Sequence, residues 1–160
     1  MEFAFVSIPF FGLIIGCIQM ALIFTMNQAL QTATMRASRE LMTNQATALG
    51  LNSTSKMTDE IYKNLPDGFD KTKLYVDVES WPDWPQYKPN AITYDNTGKA
   101  TNLVFTPGSN GNIVMVRVMY DWPVFGGIFS GVLGGAAGFG LSNQPDDGYL
   151  MVATTVLRSE

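Results

Sequence analysis

Residues 1–35 read MEFAFVSIPFFGLIIGCIQMALIFTMNQALQTATM. No charged side chain lies between Phe3 and Met26, and the next charge after Glu2 is Arg36. As an α-helix, residues 3–26 would be ~36 Å long at ~1.5 Å per residue, enough to cross a hydrocarbon core ~30 Å thick. In lipid a lone segment must satisfy its backbone polar groups internally, which a helix does. The stretch therefore reads as a transmembrane helix. A cleaved secretory signal fits less well, because it needs a basic start, a shorter apolar run and a small-residue cleavage site. This stretch begins with an acid and has no Ala-x-Ala site.

Beyond the apolar run a helical pattern continues through Met26, Leu30, Ala33, Ala37 and Leu41. Asn44 interrupts it and Ala48 resumes it, while Gln28, Gln31, Arg36, Arg39 and Glu40 lie off the stripe. The pattern predicts one long helix, half in lipid and half amphipathic in water, that stops near Gly50. Two units follow: residues 1–49 as the helix and residues 50–160 as a small folded domain.

Within the apolar run, Pro9 removes one helical hydrogen bond. Gly12 and Gly16 form a Gly-x-x-x-Gly pair that lets helices approach closely in membranes. Glu2 has two readings. It is either a headgroup-level acid favoured by the helix dipole, or a partner for a basic group such as a neighbouring chain's amino terminus.

The net charge is −4 with no basic run, which argues against nucleic acid as a partner. Cys17 is the sole cysteine and lies mid-membrane, so no intramolecular disulfide staples the outer domain. Arg36 and Arg39, the basic residues nearest the membrane, would by the positive-inside rule face the cytoplasm.

The outer domain reads as α+β. Thr58-Asp59-Glu60 opens a short helix ended by Pro66-Asp67-Gly68, with Met57, Ile61 and Leu65 on one face and an acidic first turn. Leu74, Val76 and Val78 alternate with Tyr75, Asp77 and Glu79 as a half-buried strand. Residues 92–94 and 103–105 flank Asp95-Asn96-Thr97-Gly98 as a hairpin. In the strongest strand, 113–120, Val114, Val116, Val118 and Tyr120 share one face, and Ile113, Met115, Arg117 and Met119 the other. Arg117 among apolar neighbours implies a covered but not dry second face. A last strand, 149–157, completes an antiparallel sheet with the long helix against or leading into it.

Residues 123–141 hold seven glycines and no charge. A second transmembrane helix there is weakened by the glycines and would return the last strand to the wrong side. Two readings remain: a segment that covers the sheet, or an apolar contact surface for a subunit or the membrane. Phe125, Ile128, Phe129, Val132 and Leu133 are spaced for one helical face and fit either.

Catalytic chemistry finds no support. There is no histidine, so no histidine triad or histidine metal site, and Cys17 in lipid is no exposed thiolate. Asp59-Glu60 and Asp146-Asp147 are adjacent acids of the solvated kind, and 95–98 lacks the alternating ligands of a calcium loop. The glycines of 126–140 have no lysine to form a phosphate loop. The Trp-Pro clusters at 81–85 and 122–123 read as rigid turns or, less readily, as an aromatic platform for sugar. The expectation is no enzyme, no metal and no cofactor.

Glu2-Phe3-Ala4, the apolar run with Pro9, Asn27-Gln28-Ala29-Leu30 and Ala33-x-x-x-Ala37 together resemble the mature start of TadE-like minor pseudopilins. Residues 117–123 and 153–160 resemble that family's last two blocks, while 50–110 resembles nothing named. The resemblance implies a type IV pilin-like subunit or assembly factor of the tight-adherence (Tad) pilus, serving adhesion. It implies a bacterial inner-membrane location with the carboxy-terminal bulk outside the cytoplasm, opposite to the arginine rule, and incorporation in an extracellular pilus. Its partners would be other pilin-like subunits, the assembly machinery and membrane lipid, with Glu2, Phe3, Pro9, Gly12 and Gly16 as the packing residues. A prepilin peptidase that cuts after a glycine just before the glutamate is also implied, although only Met1 precedes Glu2 here. The alternative function is a single-pass anchored adaptor or ligand-binding domain that never enters a filament.

Overall fold

The computed structural model describes residues 2–42, 53–95, 99–109, 111–123 and 148–159. Helix α1 spans Glu2–Met42 and runs through Pro9 as one element. Its expected stop near Gly50 lies outside the described residues. Helix α2 is Thr54–Lys63, and strands β1 (Leu74–Trp81), β2 (Ile113–Pro123) and β3 (Gly148–Arg158) form one antiparallel sheet in the order β1-β2-β3. The architecture is α+β, as the periodicities predict.

The sheet's inner face carries Leu74, Val76 and Val78 of β1 and Val114, Val116, Val118, Tyr120 and Trp122 of β2. Met151 and Ala153 of β3 pair in register with Tyr120 and Val118 and share that face. Against it lie Leu30, Ala33, Ala37 and Leu41 of α1 and Met57 and Ile61 of α2. These are the stripe positions expected from steps of three and four, and each large member contributes about 1.5–3 kcal/mol through burial. Phe69 packs edge-on against Tyr120, with ring centroids 4.6 Å apart, and against Trp122 at 5.9 Å. The buried Tyr120 hydroxyl accepts the Asp70 backbone N–H at 2.9 Å, and burial raises its pKa above the ordinary phenol value.

Three expectations need correction. First, α2 begins one turn early, because Ser53 is extended and its carbonyl takes the Met57 N–H at 3.1 Å. That turn brings Met57 into register with Ile61, both fully buried. Asp59 and Glu60 therefore sit mid-helix rather than at the dipole, and pair with Lys71 and Lys63 respectively.

Second, 103–105 is not an arm of the hairpin. Residues 93–95 pair instead with 99–101, through Asp95 N–H to Lys99 O at 2.9 Å and Thr101 N–H to Thr93 O at 3.0 Å. The freed segment lies parallel along β1. Val78 N–H donates to Val104 O and Thr106 N–H to Val78 O, both at 2.8 Å, so this edge of the sheet is capped at Val78.

Third, Asp77 and Glu79 do not face water. They are 0 % and 5 % exposed, beneath the described residues of 87–95 and 99–106, whose Asn90 and Val104 N–H groups they accept. The second face of the sheet is covered and polar, as Arg117 implied.

Candidate functional site

The first half of α1 exposes apolar side chains almost without exception. Val6, Phe10, Phe11, Leu13, Ile18 and Phe24 are more than half exposed, and Cys17 points outward with them. Past Met26 the exposed positions turn mostly polar, with Gln28, Gln31, Thr32, Arg36 and Arg39, and Met35 is the large apolar exception. A surface that is apolar for five turns and then mostly polar is the kind that suits a helix leaving lipid for water. Residues Phe10–Met42 are accordingly a candidate membrane span.

A narrow stripe of α1 is buried throughout: Gly12, Gln19, Ile23, Leu30, Ala33, Thr34, Ala37, Ser38 and Leu41, with Gly16 half-buried among them. The Gly12–Gly16 pair thus lies on the line that, further along, packs onto the sheet. In the lower half small residues allow a close approach, and the buried hydroxyls are satisfied within the helix. Thr34 donates to Leu30 O and Ser38 to Thr34 O, each at 2.7 Å. Gln19 is different. It is 4 % exposed and its Nε2 has no hydrogen-bond partner among the described residues, a state that costs about 1–3 kcal/mol. Sequence reading passed over Gln19, although an amide inside an uncharged run was visible there. The backbones of Glu2, Phe3 and Pro9 belong to α1, but their side chains lie outside the described ones. Phe125, Ile128, Phe129, Val132 and Leu133 lie outside the described residues altogether.

On the outer sheet face, Arg117 of β2 stands opposite Asp77 in register. Its guanidinium lies 3.6 Å from both the Asp77 and Glu79 carboxylates and donates to Asn90 O at 3.2 Å. Glu79 accepts the Asn90 N–H at 3.2 Å and Asp77 accepts the Val104 N–H at 2.9 Å. Burial pushes the Glu79 pKa above the ordinary carboxylate value, against the lowering effect of the Asn90 hydrogen bond; the Asp77 charge adds to the rise and Arg117 opposes it. Tyr94 and Tyr87 close the layer by donating to the sulfurs of Met119 at 3.4 Å and Met115 at 3.5 Å. Three charges therefore clamp segment 87–106 onto the sheet. Only Arg117 was singled out from the sequence, because the spacing of Asp77 and Glu79 is also that of a solvated strand face. Among the described residues no group of three or more acidic or sulfur side chains could hold a metal ion.

Residues 1–39 match the family model described as TadE-like protein. The match takes in Glu2, Phe3, Pro9, Gly12 and Gly16 and is consistent with a TadE-like pilus protein. It does not reach 117–123 or 153–160. No curated protein and no solved structure matches the chain.

Proposed function

We propose that the chain is a minor pilin of the Tad pilus, a subunit or assembly factor that works through α1 with its outer domain beyond the cytoplasm. The observation that carries this reading is the division of α1. Its amino-terminal half presents an apolar surface, while its carboxy-terminal half is built into the core of the folded domain. One rigid element thus joins lipid to the outer domain, and the family match lies on that element.

In this reading the helix leaves lipid for a bundle of like helices, which offer the same apolar contacts and close approach at Gly12 and Gly16. A carboxylate in that bundle is costly unless paired. Glu2 is then stabilised only when a neighbour's amino terminus lies beside it, which would couple helix insertion to correct register. The boundary between helix and outer domain belongs to the same proposal, at 49/50.

The alternative is a permanently anchored adaptor, and processing separates the two. Amino-terminal sequencing and intact mass of the native protein from cells should find a chain that starts a few residues before Glu2, directly after a glycine. A native chain that begins at Met1, or keeps an uncut leader, would remove peptidase-dependent assembly and leave the anchored adaptor.

A further inference from the structure

The end of the sheet farthest from Phe69 and Tyr120 carries a second feature that the pilin reading does not use. There Trp81, Ile113 and Arg158 stand side by side in register, seven strand positions or ~23 Å from Tyr120 at ~3.3 Å per residue. Gly68, next to Phe69, lies against Met26 of α1, so the Tyr120 end faces the membrane-leaving part of the helix and the Trp81 end points away from it.

Past Trp81 the chain turns through Pro82-Asp83 into a short 3-10 turn, Trp84–Gln86, with Pro85 inside it. The turn is closed by Gln86 N–H to Asp83 O and Tyr87 N–H to Trp84 O. Tyr87 stacks edge-on with Trp81, centroids 4.9 Å apart, and holds Trp84 at 5.9 Å. Its hydroxyl is in turn fixed on Met115. Trp84 is thereby held in place yet 64 % exposed. A large, rigid aromatic left in water forgoes the burial that would stabilise it.

Beside it lies a shallow recess of about 50 Å³ lined by Pro82, Asp83, Trp84, Ile113 and Arg158. Arg158 is anchored by its Nε on Gly111 O at 3.1 Å. Its terminal nitrogens and the Asp83 carboxylate make no hydrogen bond or ion pair among the described residues. The two opposite charges line one recess without pairing. An acidic, a basic and an aromatic residue therefore line one recess.

The geometry points to a binding site for a neutral pyranose sugar. Its C–H face lies on Trp84, where the electron-rich ring face attracts the polarised hydrogens. One ring hydroxyl donates to Asp83 and another accepts from Arg158. A hydroxyl both donates and accepts, so a sugar satisfies both charges at once. A zwitterion matches the charges too, but an ion pair in an open recess is worth little, and a small zwitterion leaves the ring uncovered. The inference does not depend on the pilin reading, since the recess is the same on a filament or on an anchored domain.

The test uses the full chain in dodecylphosphocholine micelles, a detergent without a sugar headgroup, titrated separately with methyl β-D-glucopyranoside, methyl β-D-galactopyranoside and glycine. The chain has three tryptophans, so ¹H–¹⁵N spectra show three indole signals, with that of Trp84 identified by its loss in Trp84→Ala. At least one pyranoside should move the Trp84 signal with millimolar affinity and give saturation transfer to its ring protons. Trp84→Ala should weaken binding about tenfold, Trp84→Phe should restore part of it, and Asp83→Ala and Arg158→Gln should each weaken it several-fold. No shift with either pyranoside up to ~100 mM would overturn the proposal, since affinity weaker than this is below what one stacked ring supplies. So would a response to glycine alone, or binding unchanged in Trp84→Ala.

Discussion

Arg117 and Asp77 face each other across the centre of the β1–β2 ladder, guanidinium nitrogen to carboxylate oxygen 3.6 Å, with the acid fully buried. A buried acid so placed is tolerable because Arg117 compensates it and the Val104 N–H binds its other oxygen. Arg117→Ala should therefore cost about 3 kcal/mol or more in denaturant unfolding of the full chain in micelles, because it strands two buried carboxylates. It should also expose 87–106 to hydrogen exchange before the rest of the sheet. A loss below about 1 kcal/mol would mean that the clamp contributes nothing.

Glu79 gives that clamp a pH dependence. Its folded pKa is raised, so between the ordinary and the raised value the folded state binds more protons than the unfolded one. The contribution of Glu79 to stability thus grows as pH falls from neutrality through the raised value, and is least favourable where the group is ionised. Glu79→Gln should remove this component, so that the difference in melting temperature, wild type minus variant, rises as pH falls from 7 toward 5. A difference that falls instead would reverse the sign of the Glu79 shift.

Ala33 and Ala37 are fully buried where α1 meets the sheet. Enlarging either to leucine should overpack that contact and cost about 1–3 kcal/mol, measured by thermal melts, while Gln28→Leu on the exposed side should cost little.

Two glycines with positive φ test backbone strain at the distal loops. At Gly108 (φ 75°) a Cβ would lie 2.8 Å from the Ser80 Cβ, whereas at Gly111 (φ 90°) nothing lies within 4 Å. Gly111→Ala should lose only the conformational cost, about 1–2 kcal/mol, and Gly108→Ala should lose clearly more.

How far the sequence foretold this fold follows from the range of the forces involved. The stripe of α1 through Leu30, Ala33, Ala37 and Leu41 and the alternation of β2 were readable because burial on one side of a regular element leaves a local period. The placement of 103–106 was not. Its partner, Val78, is some 26 residues earlier, and an edge-capping bond leaves no composition signal of its own. Asp77 and Glu79 misled for a similar reason: acids alternating with valines look solvated until a distant loop covers them. Pro9, Glu2 and the Gly12–Gly16 pair stood out in the apolar run by residue type, while Phe3 was legible only through the resemblance to TadE-like proteins, a resemblance the match over 1–39 supports. The recess at Arg158 depends on three-dimensional neighbours.

The most direct test of the central claim is to purify Tad filaments from cells that carry the wild-type chain or Glu2→Ala and to quantify the protein in filament and membrane fractions by mass spectrometry. The account predicts wild-type protein in the filament fraction, and Glu2→Ala confined to the membrane at normal abundance. Equal incorporation of both, or absence of the wild type from filaments and from their assembly, would contradict it.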